Sequence, residues 1–189
     1  MDCVVLLTVN NALCEQPGQD QTTTMSQSYT TYYLEMLAAT ALNAKTNSNG
    51  LIIQEVQTAQ FQFNRFLYQL VGEQWQWTDK LSWPDDQWKA YVEDENLRTW
   101  VAYSSGAIAG YFELIRDNHD TEIKYFGLAP QFFGNGFGGF LLSQAIANAW
   151  QWSGTQRVWV HTCTLDHPYA LKNYLARGFT IYDEKEDYL

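Results

Sequence analysis

The chain has 189 residues, of which 46% are hydrophobic and 16% aromatic, and it carries a formal net charge of −10. Its length fits one domain, and its apolar content is enough for a packed core, so a largely disordered protein is excluded. The negative charge argues against sequence-independent binding to nucleic acid, which depends on lysine and arginine at phosphates. The charge is compatible with a cationic substrate, but it also serves solubility in any protein.

The composition near the start of the chain predicts where the folded domain begins. Residues 1–24 are predicted to be a flexible segment, because they end in a polar stretch interrupted by Pro17 and Gly18. A single folded domain is expected over residues 25–189. Asp2 stands where a signal peptide has positive charge, the three cysteines form no CxxC pair, and no apolar stretch approaches the roughly 20 residues that cross a bilayer. We therefore expect a cytoplasmic protein that is neither secreted nor bound to a membrane.

The first part of this domain combines strand and helix patterns. Residues 29–36 are β-prone and are predicted to form an added edge strand. A polar loop over residues 45–50 leads to a strand over residues 51–57. Aromatic and aliphatic residues at helical spacing then predict a helix over residues 61–72, which ends at Gly72.

Residues 73–88 combine four tryptophans with four acidic residues. Aromatic rings and carboxylates together suit an ammonium group, through cation–π contact and ion pairing. The alternative, favoured for most of these residues, places the tryptophans in the core and the acids at the start of a helix over residues 84–95, capped by Ser82. One or two of the side chains are expected to face a substrate. The candidates are Trp75, Trp77 and Trp83, combined with Glu73, Asp79 or Asp85.

The second half of the chain alternates between strands and helices. A hairpin at residues 104–106 and a tight connection at residues 117–120 join neighbouring strands, which makes most of the sheet antiparallel. The predicted fold class is α/β (α+β), with a mixed, mainly antiparallel sheet and helices on both faces. The predicted strands cover residues 99–103, 108–115, 122–128, 157–163 and 179–183, and the predicted helices cover residues 140–152 and 169–176.

A glycine-rich loop over residues 134–139 lies between a strand and a helix. Glycines let the backbone approach a ligand closely, and the first amides of a helix have no helical partner, so this arrangement favours a bound pyrophosphate. The loop formally matches the dinucleotide pattern GxGxxG. That pattern also needs an acidic residue at the end of the next strand, where this chain has His161, so a nicotinamide or flavin enzyme is the less favoured interpretation.

The sequence LAPQFFGNGFGGFLL resembles the acetyl-CoA signature of the GNAT superfamily of N-acetyltransferases, and ALKNYLARGF resembles the family's second motif. The resemblance covers about residues 51–186, and HTCTLDHP is similar to an uncharacterised bacterial subgroup. Phe133 stands where the family has Arg or Gln, and Asn135 where a basic residue is frequent. The resemblance implies a GNAT-like fold, acetyl-CoA as the acyl donor, and a set of residues that bind it. These are Phe126, Gly127, Leu128, Phe133, Gly134, Asn135, Gly136, Phe137, Gly138, Gly139, His167 and Tyr174.

The resemblance also implies catalytic roles. Glu122 aligns with a glutamate base of the histone-acetyltransferase branch, with Glu113 on the neighbouring strand as the second candidate. A carboxylate near aromatic residues is expected to have a raised pKa, which helps a base to work near neutrality. Either glutamate would otherwise be a polar residue of the strand surface or a partner of Lys124. Tyr174 matches the tyrosine that hydrogen-bonds the departing CoA sulfur, although its alternative role is that of a core residue.

His161, Cys163, Asp166 and His167 lie close together in the sequence and allow three interpretations. Their spacing matches no familiar zinc pattern, so no metal is predicted. Cys163 beside His161 suggests a nucleophile with a base, although a cysteine in an apolar strand is usually buried and inert. The preferred interpretation places His167 near the CoA sulfur. His161 is then a candidate for substrate binding at the acceptor cleft, and its role stays open.

The sequence therefore predicts an acetyl-CoA-dependent N-acetyltransferase that transfers the acetyl group directly. The acceptor is a primary amine of a small molecule, a peptide or a protein, and the enzyme is a monomer or homodimer without nucleic-acid or membrane partners. The alternative is a non-catalytic acyl-CoA-binding domain of GNAT-like fold that acts as a sensor or interaction module.

Overall fold

The computed structural model describes residues 28–75 and 77–188, and the predicted flexible segment at residues 1–24 lies outside them. The described residues form one seven-stranded sheet with the strand order β2-β3-β4-β5-β6-β1-β7. Every neighbouring pair is antiparallel except β5 and β6. The strands are β1 Ser28–Met36, β2 Ile52–Glu55, β3 Leu97–Ser104, β4 Ala107–Asp117, β5 Asp120–Leu128, β6 Arg157–Cys163 and β7 Thr180–Tyr188.

Helices cover both faces of this sheet, and the predicted fold class is confirmed. One apolar cluster joins α3 to the sheet and the other joins α1 and α2 to it, because successive strand residues point to opposite faces. Trp100 and Phe112 belong to the first cluster, and Val101 and Tyr111 to the second. None of the helices in residues 28–75 and 77–188 is both long and apolar enough to cross a membrane. The helices are α1 Phe61–Gly72, α2 Asp85–Val92, α3 Phe137–Gln151 and α4 Ala170–Ala176.

Strand β1 differs from its prediction as an added edge strand. It lies inside the sheet and pairs in antiparallel fashion with both β6 and β7. Leu34 and Met36 are accordingly buried, at 0% and 2% exposure. The edge belongs instead to β7, which extends further than predicted and has every residue exposed. Strand propensity identifies a strand but not its partners, so the sequence could not place β1.

Two helix starts also differ from the predictions. Helix α2 begins at Asp85 after Pro84, and no side chain caps it, so the predicted cap at Ser82 is wrong. Helix α3 begins at Phe137, three residues before the predicted start at residue 140. Gly138 and Gly139 therefore belong to its first turn. This earlier start brings the unpaired amides of the helix to the glycine-rich loop itself.

Strands β5 and β6 separate after a short parallel start. Their paired residues run only from Asp120 to Glu122 on β5 and from Arg157 to Trp159 on β6. On its other side β5 stays paired with β4 as far as Leu128. Within the described residues, the edge of β5 beyond Glu122 therefore has no partner strand, and a gap opens beside it.

Gly178, after α4, is expected to be the glycine whose replacement destabilises the fold most directly. It has a φ of +102°, and a Cβ there would collide with the backbone carbonyl oxygen of Ala41. We expect Gly178→Ala to lower the free energy of unfolding by about 2–4 kcal/mol, measured by urea denaturation. Gly154→Ala is the matched control, because Gly154 has a φ of +93° but nothing within 4 Å. Equal losses in the two variants would contradict this explanation.

Candidate active site

The gap between β5 and β6 opens into a cavity of about 610 Å³. Its walls come from β5, the glycine-rich loop with the start of α3, the end of β6, α4, and the connection between α1 and α2. Most of the predicted site residues meet there. Those that line the cavity are Trp75, Trp77, Asp79, Phe126, Gly127, Leu128, Phe133, Gly134, Gly136, Phe137, Gly138, Gly139, His161, His167 and Tyr174. Those that do not line it are Glu73, Trp83, Asp85, Glu113, Glu122 and Asn135.

The backbone of the glycine-rich loop points its amides and carbonyls to different partners. Gly136 caps α3 in the left-handed region, with a φ of +75° that favours glycine. Among the described residues, no turn, loop or cap hydrogen bond is donated by the amides of residues 134–139. The carbonyls of Asn135 and Gly136, in contrast, accept hydrogen bonds from Asn49 Nδ2 at 3.2 Å and Lys45 Nζ at 3.0 Å. The amides are thus available to an anion, and the carbonyls are held by side chains.

Two basic side chains, Lys45 and Arg177, lie close to the start of α3. Sequence reasoning did not find them. A Cβ on Gly139 would lie 3.0 Å from Lys45 Cδ and 3.3 Å from Arg177 Nη1. Lys45 is 91 positions away from Gly136 along the chain, so no local motif signals this contact. Their charges add to the positive end of the helix dipole and make this part of the cavity favourable for an anion.

Tyr174 lies on α4 and reaches the cavity opposite β5. Its side chain is buried, at 6% exposure, and its ring centre is 6.1 Å from that of Phe126. Burial, together with the nearby negative charge of Asp166, raises the pKa of the Tyr174 hydroxyl well above its usual value. The phenol therefore stays protonated at neutral pH and is able to donate a hydrogen bond into the cavity.

Glu122 lies just behind the cavity wall, between two lining residues. Its Oε1 is 3.2 Å from Lys124 Nζ and 3.4 Å from His161 Nδ1. His161 Nδ1 is buried and makes no hydrogen bond within the described residues. Its 3.4 Å contact with Glu122 is therefore an electrostatic contact. Burial opposes the charged carboxylate, but His161 and Lys124 outweigh it and lower the pKa of Glu122. The predicted raised pKa is therefore wrong for Glu122.

Glu113 is buried away from the cavity, at 1% exposure. Its carboxylate accepts hydrogen bonds from Asn64 Nδ2 at 2.9 Å and from the Tyr91 hydroxyl at 2.5 Å. Burial raises the pKa of Glu113, although these two hydrogen bonds oppose the change. Because Glu113 does not reach the cavity, its placement disfavours the role of base.

A polar network around the buried Lys80 supports the wall formed by Asp79 and Tyr125. Lys80, at 4% exposure, donates to Asp79 Oδ2 at 3.1 Å and to the Tyr125 hydroxyl at 2.7 Å. The hydroxyls of Tyr68 and Tyr125 also donate to Asp79, at 2.6 and 2.9 Å. Lys80 Nζ lies 4.4 Å from the ring centre of Trp83, so this tryptophan packs on an internal cation.

The sequence matches the Acetyltransferase (GNAT) family over residues 64–179, more than half of the chain and a span that contains both the glycine-rich loop and Tyr174. The chain belongs to the GNAT family. Proteins of this family transfer acetyl groups and generally take them from acetyl-CoA. A search of curated protein sequences returns no match.

Solved GNAT structures share the fold at low sequence identity. A GCN5-related N-acetyltransferase from Sphaerobacter thermophilus is 12% identical with a TM-score of 0.65, and this chain covers 53% of it with 86% of its own residues. One from Kribbella flavida is 15% identical with a TM-score of 0.60, with 56% and 83% covered. The chain thus spans little more than half of each. An aminoglycoside acetyltransferase from an uncultured soil metagenomic sample, solved with sisomicin, is 18% identical with a TM-score of 0.57, with 88% and 68% covered.

Phe133, which departs from the usual GNAT motif, joins an aromatic cluster in the cavity wall. Its ring centre lies 5.9 Å from that of Trp75 and 5.4 Å from that of His167. Trp75 and His167 are 5.2 Å apart in an edge-to-face arrangement. The cluster joins three separate segments of this GNAT domain. Through it, Trp75 of the α1–α2 connection lies near the glycine-rich loop.

Cys163 and Asp166, from the group of residues with alternative interpretations, both line the cavity, and Cys163 is buried at 8% exposure. Asp166 Oδ2 accepts from the Thr162 hydroxyl at 2.6 Å and from the backbone N–H of Cys163 at 3.0 Å, which gives it a role in the turn after β6. The described residues contain no group of three or more His, Cys, Asp or Glu side chains placed to hold a metal ion.

Proposed function

We propose that this protein is an acetyl-CoA-dependent N-acetyltransferase that transfers the acetyl group directly to a primary amine. One observation carries the proposal: amides at the start of α3 and the edge of β5, which have no partner among residues 28–75 and 77–188, border the same cavity. The amides suit the diphosphate of CoA, and the strand edge suits its amide-containing pantetheine arm. Together they would hold the thioester beside residues 126–128.

The reaction needs a neutral amine, a stabilised oxyanion and a leaving thiolate. The amine nitrogen forms a bond to the thioester carbon, the carbon–sulfur bond breaks, and the electron pair leaves with the sulfur. Backbone amides of residues 126–128 would stabilise the oxyanion, and the Tyr174 hydroxyl would donate to the sulfur. These roles use groups that already line the cavity.

The proton of the amine requires a base, since an alkylammonium group is largely protonated at neutral pH. Glu122 is our candidate, and we place its action through His161. His161 lines the cavity, whereas Glu122 lies behind it at 3.4 Å from His161 Nδ1. A neutral imidazole has one ring nitrogen that can accept the proton, and the carboxylate beside it would stabilise the resulting cation. Alternatively, Glu122 itself accepts the proton of the amine through a bridging water molecule.

The experiment that tests this function measures thiol release from acetyl-CoA with a panel of primary amines. Amine-dependent release is the expected result, and product analysis should show one acetyl group on nitrogen. Tight binding of CoA with no thiol release across the panel would contradict the proposal. That outcome would favour a non-catalytic acyl-CoA sensor of GNAT fold.

The Tyr174→Phe variant is expected to lower kcat about 10- to 100-fold with little change in CoA affinity. A thiol with a pKa of about 8.5 is a fair leaving group, so donation to the sulfur helps without being essential. Steady-state kinetics and calorimetric CoA binding provide the measurement. Tyr169→Phe is the matched control, because Tyr169 also lines the cavity but is 67% exposed. The same loss of kcat in both variants would argue against the role of Tyr174.

A further inference from the structure

The acceptor end of the cavity, between Trp77, Asp79, Lys124 and His161, contains close to equal numbers of acidic and basic groups. Asp79 pairs with Lys80 at 3.1 Å and Glu122 pairs with Lys124 at 3.2 Å. Each carboxylate at this end therefore already has a cationic partner from the protein. Asp166 lines the cavity near Tyr174, outside this end; here, among the described residues, an incoming ammonium group meets no acid without a cationic partner.

Asp79, the acid that lines this end, has its hydrogen-bonding capacity largely used. Three donors reach its two oxygens: the hydroxyls of Tyr68 and Tyr125 and the ammonium group of Lys80. Burial opposes the charge of Asp79, but these donors and the charge of Lys80 outweigh it, so the pKa of Asp79 is lowered. The side chain is 42% exposed, so the carboxylate still reaches the cavity, but its charge is already balanced by Lys80.

Lys124 brings a further positive charge to the same place. It is the extra residue of a β-bulge, because Tyr125 pairs with Glu113 and Ile123 pairs with Leu114 across the β4–β5 ladder. The bulge places Lys124 in the lining, close enough to Lys80 for their charges to oppose each other. Because Lys80 and Lys124 offset the charges of Asp79 and Glu122, an additional cation of a substrate gains no net attraction here and still has to be partly desolvated.

The uncharged surface of the acceptor end is aromatic. The rings of Trp77 and Tyr125 lie 4.9 Å apart, and both residues line the cavity beside Phe126. Such walls pack well against a flat apolar body and stabilise one ammonium group through the faces of the rings. They offer little to a chain that carries several hydroxyl or ammonium groups.

The net charge of −10 has its main sources elsewhere. Strand β7 carries four acids and the end of α2 and its following turn carry three, and none of these residues lines the cavity. The global charge therefore does not indicate a polycationic substrate at this site. These acids are Asp183, Glu184, Glu186 and Asp187 on β7, and Glu93, Asp94 and Glu95 after α2.

We infer that the acceptor is a monoamine with an apolar, aromatic body, and that polyamines and aminoglycosides are disfavoured. This inference rests on the proposed N-acetyltransferase function. It separates this protein from the solved aminoglycoside acetyltransferase that shares its fold.

The test compares 2-phenylethylamine with spermidine and sisomicin as acceptors for the full-length protein. The expected result is a kcat/KM at least about 100-fold higher for 2-phenylethylamine, because each additional cation must be desolvated without a free carboxylate. Equal or higher values for either polycation would overturn the inference. Calorimetric binding of the same amines to the CoA-saturated protein gives a readout that does not depend on turnover. If no amine is acetylated, the proposed function fails, while the order of these affinities still supports or overturns the inference.

The Lys124→Gln variant tests the electrostatic part of the argument. Removing this cation leaves Glu122 without its lysine partner, so the preference for 2-phenylethylamine over spermidine should narrow about 10-fold. Lys172→Gln is the matched control, since Lys172 also lines the cavity but lies on α4, and it should leave the ratio unchanged. An unchanged ratio in Lys124→Gln, or equal narrowing in both variants, would overturn the electrostatic selection.

Discussion

The Gly138→Asp variant is expected to bind acetyl-CoA at least about 100-fold more weakly while the protein becomes no less stable. Gly138 is in the first turn of α3 and lines the cavity. A Cβ there meets only Asn173 at 3.8 Å and Leu128 at 3.9 Å, which are ordinary contacts, so the fold accommodates a side chain. A carboxylate in this turn interacts well with the helix dipole but repels a diphosphate at the same amides. Binding and stability should therefore change independently.

The measurement combines calorimetric titration of acetyl-CoA with thermal unfolding. Gly138→Asn is the matched control, because asparagine has nearly the same size as aspartate and carries no charge. Its loss of affinity should be smaller than that of Gly138→Asp, and the difference should shrink at high salt as the charges are screened. Equal affinities for the two variants would show that no anion is bound at these amides.

The Glu122→Gln variant is expected to lower kcat about 100- to 1,000-fold with almost unchanged affinity for CoA. Glutamine keeps the size of the side chain but cannot stabilise a protonated His161 or accept the proton itself. Because its pKa is lowered, Glu122 is fully charged at neutral pH in the native enzyme. The pH dependence of kcat should change in the variant, and an unchanged pH–rate profile would remove Glu122 from this role.

Glu113→Gln is the control for that experiment, since it makes the same substitution on the neighbouring strand away from the cavity. Its kcat should stay within about 3-fold of the native value, and its effect should appear in stability, because it alters the buried hydrogen bonds to Asn64 and Tyr91. Burial raises the pKa of Glu113 in the folded state. The contribution of Glu113 to the free energy of unfolding is therefore fully present below its unfolded pKa and is lost as the pH rises through its folded pKa. A loss of kcat equal to that of Glu122→Gln would show that the two carboxylates were assigned wrongly.

Much of the fold was predictable because it depends on short-range patterns. The spacing of apolar residues predicted helix α1, and the four glycines after β5 predicted an anion-binding turn before a helix. Glycine conformations, helix amides and strand propensity are local properties, so they can be recognised within a few residues. Each of the two GNAT motifs is an unbroken stretch of sequence, so the resemblance to the family was evident before the structure.

The tertiary structure decided which residues meet. The sequence suggested two glutamates as bases, but only the register of the β4–β5 ladder and its bulge separate Glu113, buried in a hydrogen-bond network, from Glu122, beside His161. Likewise, β1 proved to be an interior strand, and Lys45 contacts a loop 91 positions away. The sequence by itself determined the elements, the glycine-rich loop and the family. Strand order, the gap beside β5 and the charges around the cavity arise from long-range pairing and packing, which no local spacing encodes.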